Sequence, residues 1–217
     1  SGNPNLRSAK LTNYDLRYEH YWSSNTTGSV ALFYKDIKNP IEFNIGSTSG
    51  GDAVRSFSNA RSAYDYGVEF DGRYDFGGLR TIAPVLTHFY VSGNASLIKS
   101  QAQLNNGESR RLQGQSKYVA NATLGYDAPT SRTNVALLFN IFGDRIAEVG
   151  FSGLPNAIEK SYPLLDFNFR QGIGRSWEFG LKVRNLLDPN IRIRQGNGIQ
   201  REYQLGVSGQ LSLKYQF

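Results

Sequence analysis

The feature that most constrains this chain is a strict two-residue alternation, clearest over residues 201–217. One parity carries Tyr203, Leu205, Val207, Gly209, Leu211, Leu213, Tyr215 and Phe217. The other carries Glu202, Gln204, Gly206, Ser208, Gln210, Ser212, Lys214 and Gln216. Successive side chains of a strand point to opposite faces, so the pattern predicts one strand with an apolar face and a wet face. Strands of soluble sandwiches usually run ~5–6 residues. A longer strand, with aromatics at both ends of the apolar face and aliphatics between them, fits the two interfaces and the hydrocarbon core of a bilayer.

The same alternation predicts strands over 13–22, 29–39, 62–76, 87–103, 116–126, 133–146, 161–171 and 176–185. In 62–76, Tyr64, Tyr66, Val68, Phe70, Gly72, Tyr74 and Phe76 alternate with Asp65, Gly67, Glu69, Asp71, Arg73 and Asp75. Five charges on one face are too costly for a dry core. The water-filled lumen of a large barrel accommodates them. Polar turns are expected at 23–28, 77–84, 127–132 and 172–175. Longer loops are expected at 41–60, 104–114, 147–160 and 189–200, the first rich in Gly and Ser. Short turns fall on the same side as residue 217 and long loops on the other. Outer-membrane barrels sort their connections this way, and soluble sandwiches have no reason to. The expected fold is all-β: one unit over 1–217, an antiparallel transmembrane β-barrel segment of about nine up-and-down strands of a larger barrel.

Composition removes other classes. No run of ~18 apolar residues offers a transmembrane helix, although a barrel strand needs none. The chain has no cysteine, which fits an exported protein. The net charge is +6, but no basic run is interleaved with aromatics, so nucleic acid is not an expected partner. Only two histidines occur, His20 and His88, and no spacing links them to a serine and Asp166 as a hydrolase would need. No Cys or His cluster suggests a metal site. In Gly172-Ile173-Gly174, Trp177 stands where a dinucleotide fingerprint wants a third glycine. No catalytic residue, cofactor or enzyme activity is expected.

Several motifs carry a resemblance. Gly2-Asn3-Pro4-Asn5-Leu6, followed by Thr12-Asn13-Tyr14-Asp15-Leu16, resembles a stretch late in the barrel of TonB-dependent receptors. Residues 33–41, beginning Phe33-Tyr34-Lys35-Asp36, resemble the strand that follows it there. Asn185-Leu186-Leu187-Asp188 is similar to the family's Asn-Leu-Phe-Asp-type signature, with Leu187 where an aromatic is usual. Residues 7–10 depart from the family's Lys-Pro-Glu-Thr-like residues. Phe217 matches the terminal aromatic that barrel assembly machinery reads as an assembly signal. The resemblance implies a barrel of about 22 strands around an N-terminal plug, of which this chain would be a C-terminal piece, roughly two-fifths, lacking the plug. It also implies the outer membrane, contact with lipid bilayer and lipopolysaccharide, and coupling to the TonB complex through the plug. The implied activity is import of a scarce small-molecule nutrient, a ferric siderophore or an oligosaccharide. A passive porin-like channel or a surface-binding barrel is the competing reading.

Candidate ligand contacts lie on the loop side. Arg110, Arg111, Lys117, Arg145, Arg192, Arg194 and Arg201 fall at or near long loops. Such a basic mouth suits an anionic ligand, or the phosphates of outer-leaflet lipid. Arg192 and Arg194 are expected on the lumen side if the chain stays extended past Pro189, with Glu202 pairing one of them. The inner-face charges Asp65, Glu69, Asp71, Arg73, Lys182 and Arg184 are expected to pair across strands, hydrate the lumen or face the missing plug, with a substrate path as the functional alternative.

Overall fold

A computed structural model describes residues 3–47, 53–150 and 153–216. In chain order its strands are β1 (Lys10–Tyr21), β2 (Thr27–Lys38), β3 (Ile41–Ser47), β4 (Ala53–Asn59), β5 (Ser62–Asp75), β6 (Phe89–Gln103), β7 (Ser109–Arg110) and β8 (Tyr118–Ala128). They continue as β9 (Thr133–Phe142), β10 (Arg145–Gly150), β11 (Ala157–Glu159), β12 (Pro163–Ile173), β13 (Trp177–Arg184), β14 (Ile191–Gln195), β15 (Gly198–Tyr203) and β16 (Ser208–Tyr215). Nine of them form an antiparallel wall in the order β1-β2-β5-β6-β8-β9-β12-β13-β16. Each wall strand is bonded to the next wall strand in the chain, as an up-and-down barrel segment requires. The short β7 pairs with β6.

Register fixes the two faces. Directly opposed residues of an antiparallel pair share a face. One row runs Tyr18, Val30, Phe70, Ala95, Ala120, Ile141, Pro163 across seven strands. Another runs Val91, Leu124, Leu137, Phe167, Val183, Gly209. This face is apolar and uncovered: Leu16 is 72% exposed and Leu211 70%. Such exposure of large aliphatics is tolerable in lipid and not in water. Tyrosines mark its two levels on β5, and the nine residues from Tyr66 to Tyr74 match the ~9–11 that a tilted strand needs to cross a bilayer. The expected parity therefore holds for Tyr66, Val68, Phe70, Leu211 and Leu213.

The opposite face is polar. Asp71, Asn94, Asn121 and Asn140 form a row across β5, β6, β8 and β9. Asn121 donates to Asn94 at 2.8 Å, and Asn140 donates to Asn121 at 2.6 Å. Arg17 bridges Glu19 at 2.5 Å and reaches Asp71 at 3.9 Å. The Tyr90 ring lies over Gly125, where a side-chain Cβ would sit 2.1 Å from the ring. Arg73 stacks on that ring, 3.6 Å from its centroid. Asp71 and Glu69 thus meet charged or polar neighbours, Glu69 accepting from Ser96 at 3.4 Å, whereas the buried Asp65 Oδ1 has no hydrogen-bond partner among the described residues.

Three expectations change. Residues 41–60 are not a plain exposed loop: β3 and β4 make a hairpin within them. Residues 147–160 and 189–200 likewise carry strand, in β10, β11, β14 and β15. The final strand is two strands, because Gln204 to Val207 leave the ladder. Leu205 and Val207 consequently lie outside any strand. Alternation continues through the break, so pattern alone does not show it. The cause lies on a neighbouring segment. Asn185 and Asp188 both adopt left-handed backbone, φ +59° and +39°, a region Asn and Asp enter more readily than most residues. Asp188 accepts from the Gly206 amide at 2.9 Å, and Asn185 donates to the Gly206 carbonyl at 2.9 Å. Gly206 takes φ +77°, which a glycine reaches without steric cost. Asp166 on β12 fixes the other side by accepting from the Asn185 amide at 2.9 Å. The Asn-Leu-Leu-Asp signature is therefore the joint between wall and loops. Phe217, the proposed assembly signal, lies outside the described residues.

Candidate functional site: a cross-tied loop canopy

The turns 22–26, 129–132 and 174–176 are short, and 76–88 holds two 3-10 turns. At the other end, connections 39–61, 143–162 and 185–207 build a second sheet, ordered β15-β14-β11-β10-β3-β4. All its pairings are antiparallel except one. β10 runs parallel to β3 over Val149–Asn44 and Gly150–Ile45. Ile45, Ile146, Val149, Ala157, Ile191 and Ile193 are buried in this canopy. On β14 the alternation puts Ile191 and Ile193 inward and leaves Arg192 and Arg194 exposed.

Lone carboxylates tie the connections together. Glu148 on β10 is 5% exposed. It accepts from Arg201 at 2.9 Å and from Gln200 at 3.2 Å, both on β15, and pairs with Arg55 on β4 at 3.7 Å. One carboxylate thus joins three connections. Glu42 on β3, 3% exposed, holds Arg110 in a two-pronged bond, with Nη1 at 2.9 Å from Oε1 and Nη2 on Oε2. Gln113 donates to the carbonyls of Phe43 at 3.0 Å and Ala147 at 2.7 Å, and accepts from the Phe43 amide at 2.7 Å. The fourth connection, 104–117, is bound in by these last two contacts. Neither Glu42, Glu148 nor Gln113 stood out in the sequence. The available signal was a carboxylate isolated within an apolar run, Ile41-Glu42-Phe43 and Ile146-Ala147-Glu148-Val149.

At the canopy's base, Arg145 donates to Glu159 at 2.6 Å and lies 4.5 Å from the Phe142 ring centroid. The Glu159 bond holds the Arg145 guanidinium above its ordinary pKa. Burial, and then the Glu159 charge, push the Tyr162 phenol up. Burial by itself raises the Asp144 carboxyl. Its bonds from Lys160 and the Ser161 amide, with the Lys160 and Arg111 charges, outweigh that and hold it below the usual range.

The sequence-predicted arginines all lie at this end, with different partners. Arg110 is bound to Glu42, and Arg111 donates to the Asp144 carbonyl at 2.8 Å. Arg192 donates to Glu202 at 2.6 Å, the expected pairing. Arg194 donates to the Asn197 carbonyl at 3.3 Å, and Arg201 is bound to Glu148. The structure does not bring the five together into one patch. A cleft of about 640 Å³ opens beside Arg110, lined by Glu42, Asn44, Asn105 and Glu108 and by the apolar Leu104, Val149 and Leu154. Its amides and paired charges suit a polar, hydrogen-bonding ligand. His20 packs on Trp22 and His88 on Tyr126, both within aromatic clusters at the short-turn end. Among the described residues no group of three or more His, Cys, Asp or Glu is placed to hold a metal.

The architecture has clear relatives. The family described as TonB dependent receptor-like, beta-barrel matches residues 1–186. Hemoglobin-haptoglobin utilization protein B of Neisseria meningitidis serogroup C is 29% identical over 153 residues, 61% of this chain and 18% of that protein. The FrpB iron transporter from Neisseria meningitidis superposes with a TM-score of 0.65 at 14% identity, over 98% of this chain and 31% of its own. The siderophore receptor PirA from Acinetobacter baumannii gives 0.65 at 19% identity, over 98% and 32%. The chain thus spans under a fifth of the curated relative and about a third of the solved barrels. With a wall of this register and a match over most of its length, the chain belongs to the TonB-dependent receptor β-barrel family of the outer membrane.

Proposed function

We propose that the protein carrying this chain imports a scarce, iron-bearing small molecule across the outer membrane, driven by TonB. The observation that carries this reading is the gathering of four long connections into one cross-tied canopy at the end of the wall opposite the short turns. A canopy of this kind forms part of a binding vestibule, and the wall separates it from lipid. Iron enters the reading through the relatives, which include an iron transporter and a siderophore receptor. A ferric siderophore is the favoured ligand class, and an oligosaccharide is the alternative. No residue of this chain performs chemistry. Arg192 and Arg194 contribute to capture of an anionic ligand from the exposed face of β14, and Phe217 serves the assembly machinery.

Uptake by the full-length protein tests this. Cells carrying the gene should accumulate labelled ferric siderophore under iron limitation, and lose that uptake when TonB is deleted. Uptake that persists without TonB would remove the reading. Uptake of labelled oligosaccharide in place of iron would reassign the substrate.

A further inference from the structure

Two Asn-Gly pairs occur in the chain, Asn106-Gly107 and Asn197-Gly198. The amide nitrogen that follows such an asparagine can attack the side-chain amide, because glycine puts no side chain in the way. The structure treats the two pairs differently. Asn106 is held at both ends of its side chain. Its Oδ1 accepts from the Glu108 amide at 3.1 Å, and its Nδ2 donates to the Glu108 carboxylate at 3.0 Å. The Gly107 amide is also occupied, donating to the Leu104 carbonyl at 3.2 Å. Asn197 instead stands at the exposed tip of the β14–β15 hairpin, and its side chain makes no hydrogen bond among the described residues. The hairpin itself is fastened, with Gln195 donating to the Pro155 carbonyl at 2.9 Å. The Asn197 backbone carbonyl accepts from Arg194 Nη2 at 3.3 Å. Position 198 does not need its glycine: its φ is not left-handed, and an added Cβ would meet the Gln195 carbonyl oxygen at an ordinary 3.7 Å.

We propose that Asn197 is a self-modification site, an asparagine that Arg194 primes for conversion to aspartate and isoaspartate. The reaction begins when the Gly198 nitrogen gives its proton to water or hydroxide. The resulting negative charge rests largely on the Asn197 carbonyl oxygen, the atom that Arg194 already contacts. A guanidinium stabilises that charge more than it stabilises the neutral amide. The nitrogen then bonds to Asn197 Cγ, the Cγ–Nδ2 bond breaks, and ammonia leaves with a proton from water. Water opens the cyclic imide at either carbonyl. One opening gives aspartate, and the other gives isoaspartate, whose backbone runs through the side chain. Nothing is oxidised or reduced. A neutral side chain becomes a carboxylate beside Arg194. Arg192 on the same strand is matched by Glu202, whereas Arg194 makes no ion pair among the described residues. The conversion therefore lowers the positive charge of the exposed face of β14. It changes the chain and not a ligand, so it does not depend on which nutrient is imported.

The test incubates the purified, folded full-length receptor in mild detergent at mildly alkaline pH. Samples are digested at intervals, and peptide mass spectrometry follows the change from amide to acid at positions 106 and 197. Enzymatic methylation of isoaspartate identifies the rearranged product. Position 197 should convert well ahead of position 106. The variant R194Q should slow that conversion by about tenfold or more, the worth of one hydrogen bond to a charged group. The variant G198A keeps Arg194 and adds bulk at the attacking nitrogen, so it should also be slower than the parent. Heat-modifiable gel mobility reports whether each variant is folded, and G198A tests the step independently if R194Q fails to fold. In receptor unfolded with guanidinium the two pairs should react at similar rates. Conversion of position 106 as fast as position 197 in the folded receptor overturns the proposal. So does an unchanged rate in folded R194Q. A preference for position 197 that persists in the unfolded chain would assign it to local sequence alone, and would equally overturn it.

Discussion

The wall and the canopy are both antiparallel sheet for most of their length, yet they are held together differently. In the wall every strand meets its neighbour in the chain, and each residue has only to match its face. In the canopy, strands distant in sequence meet, and single buried groups make the meeting specific. Glu42 bonds a residue 68 positions away, and Glu148 one 53 positions away. The only parallel pairing among the described residues, β10 with β3, lies there too. A wall strand is therefore protected by many equivalent contacts, whereas the canopy depends on a few irreplaceable ones.

The largest effect should come from violating the wall's one rule. Phe70→Arg puts a charge on the lipid face between the two tyrosine levels and should destabilise the barrel by about 2–4 kcal/mol. Asn94→Arg, on the inner face beside Asp71, should cost less than ~1 kcal/mol. Chemical denaturation of the full-length barrel in lipid vesicles compares them, and equal costs would break the distinction between faces.

In the canopy, Glu148→Ala should matter most. It removes a buried carboxylate and leaves Arg201 and Arg55 without it. Breaking a fully buried pair costs ~3–5 kcal/mol, but both arginines are half exposed, so about 2 kcal/mol is expected. Hydrogen exchange should show faster opening of β10, β14 and β15 and no change in β5 or β6. Uniform loosening of the wall would show that the two regions are one cooperative unit.

Asn185→Ala should follow, at about 1–2 kcal/mol, because alanine is strained at φ +59° and cannot bond Gly206. Its effect should be confined to the joint, read as lost amide protection around Gly206.

The smallest effect is with acid. The folded Asp144 carboxyl titrates below its ordinary value of 3.8. Its contribution is therefore complete above that pH and disappears as pH falls through the lower folded value. Protection of the Ser161 amide should be constant from neutral pH to about pH 4 and decline only below it. A decline centred well above 4 would contradict the ion-pair assignment.

This contrast also explains what was legible in the sequence. The wall could be read because alternation is local: Tyr66, Val68 and Phe70 declare their face without knowledge of any other strand. The signature Asn185-Leu186-Leu187-Asp188 was visible as a motif, but its bonding to Gly206 and Asp166 was not. The canopy hairpin β3–β4 was obscured by the Gly- and Ser-rich stretch beside it, although Ile41, Phe43 and Ile45 do alternate. The Arg192–Glu202 pairing was readable because it spans a single hairpin. The neutralisation of Arg110 by Glu42 was not, since nothing local links residues in separate connections.

A cysteine scan measures the two-faced wall most directly, and the natural chain contributes no cysteine to confuse it. Single cysteines at positions 68 to 74 of the full-length protein, nitroxide-labelled in bilayers, can be probed with oxygen and with a water-soluble nickel chelate. Oxygen access should peak at Val68, Phe70, Gly72 and Tyr74, and nickel access at Glu69, Asp71 and Arg73. Positions 68, 70, 72 and 74 shielded from oxygen, or access without a two-residue period, would contradict the lipid-facing wall on which the whole account rests.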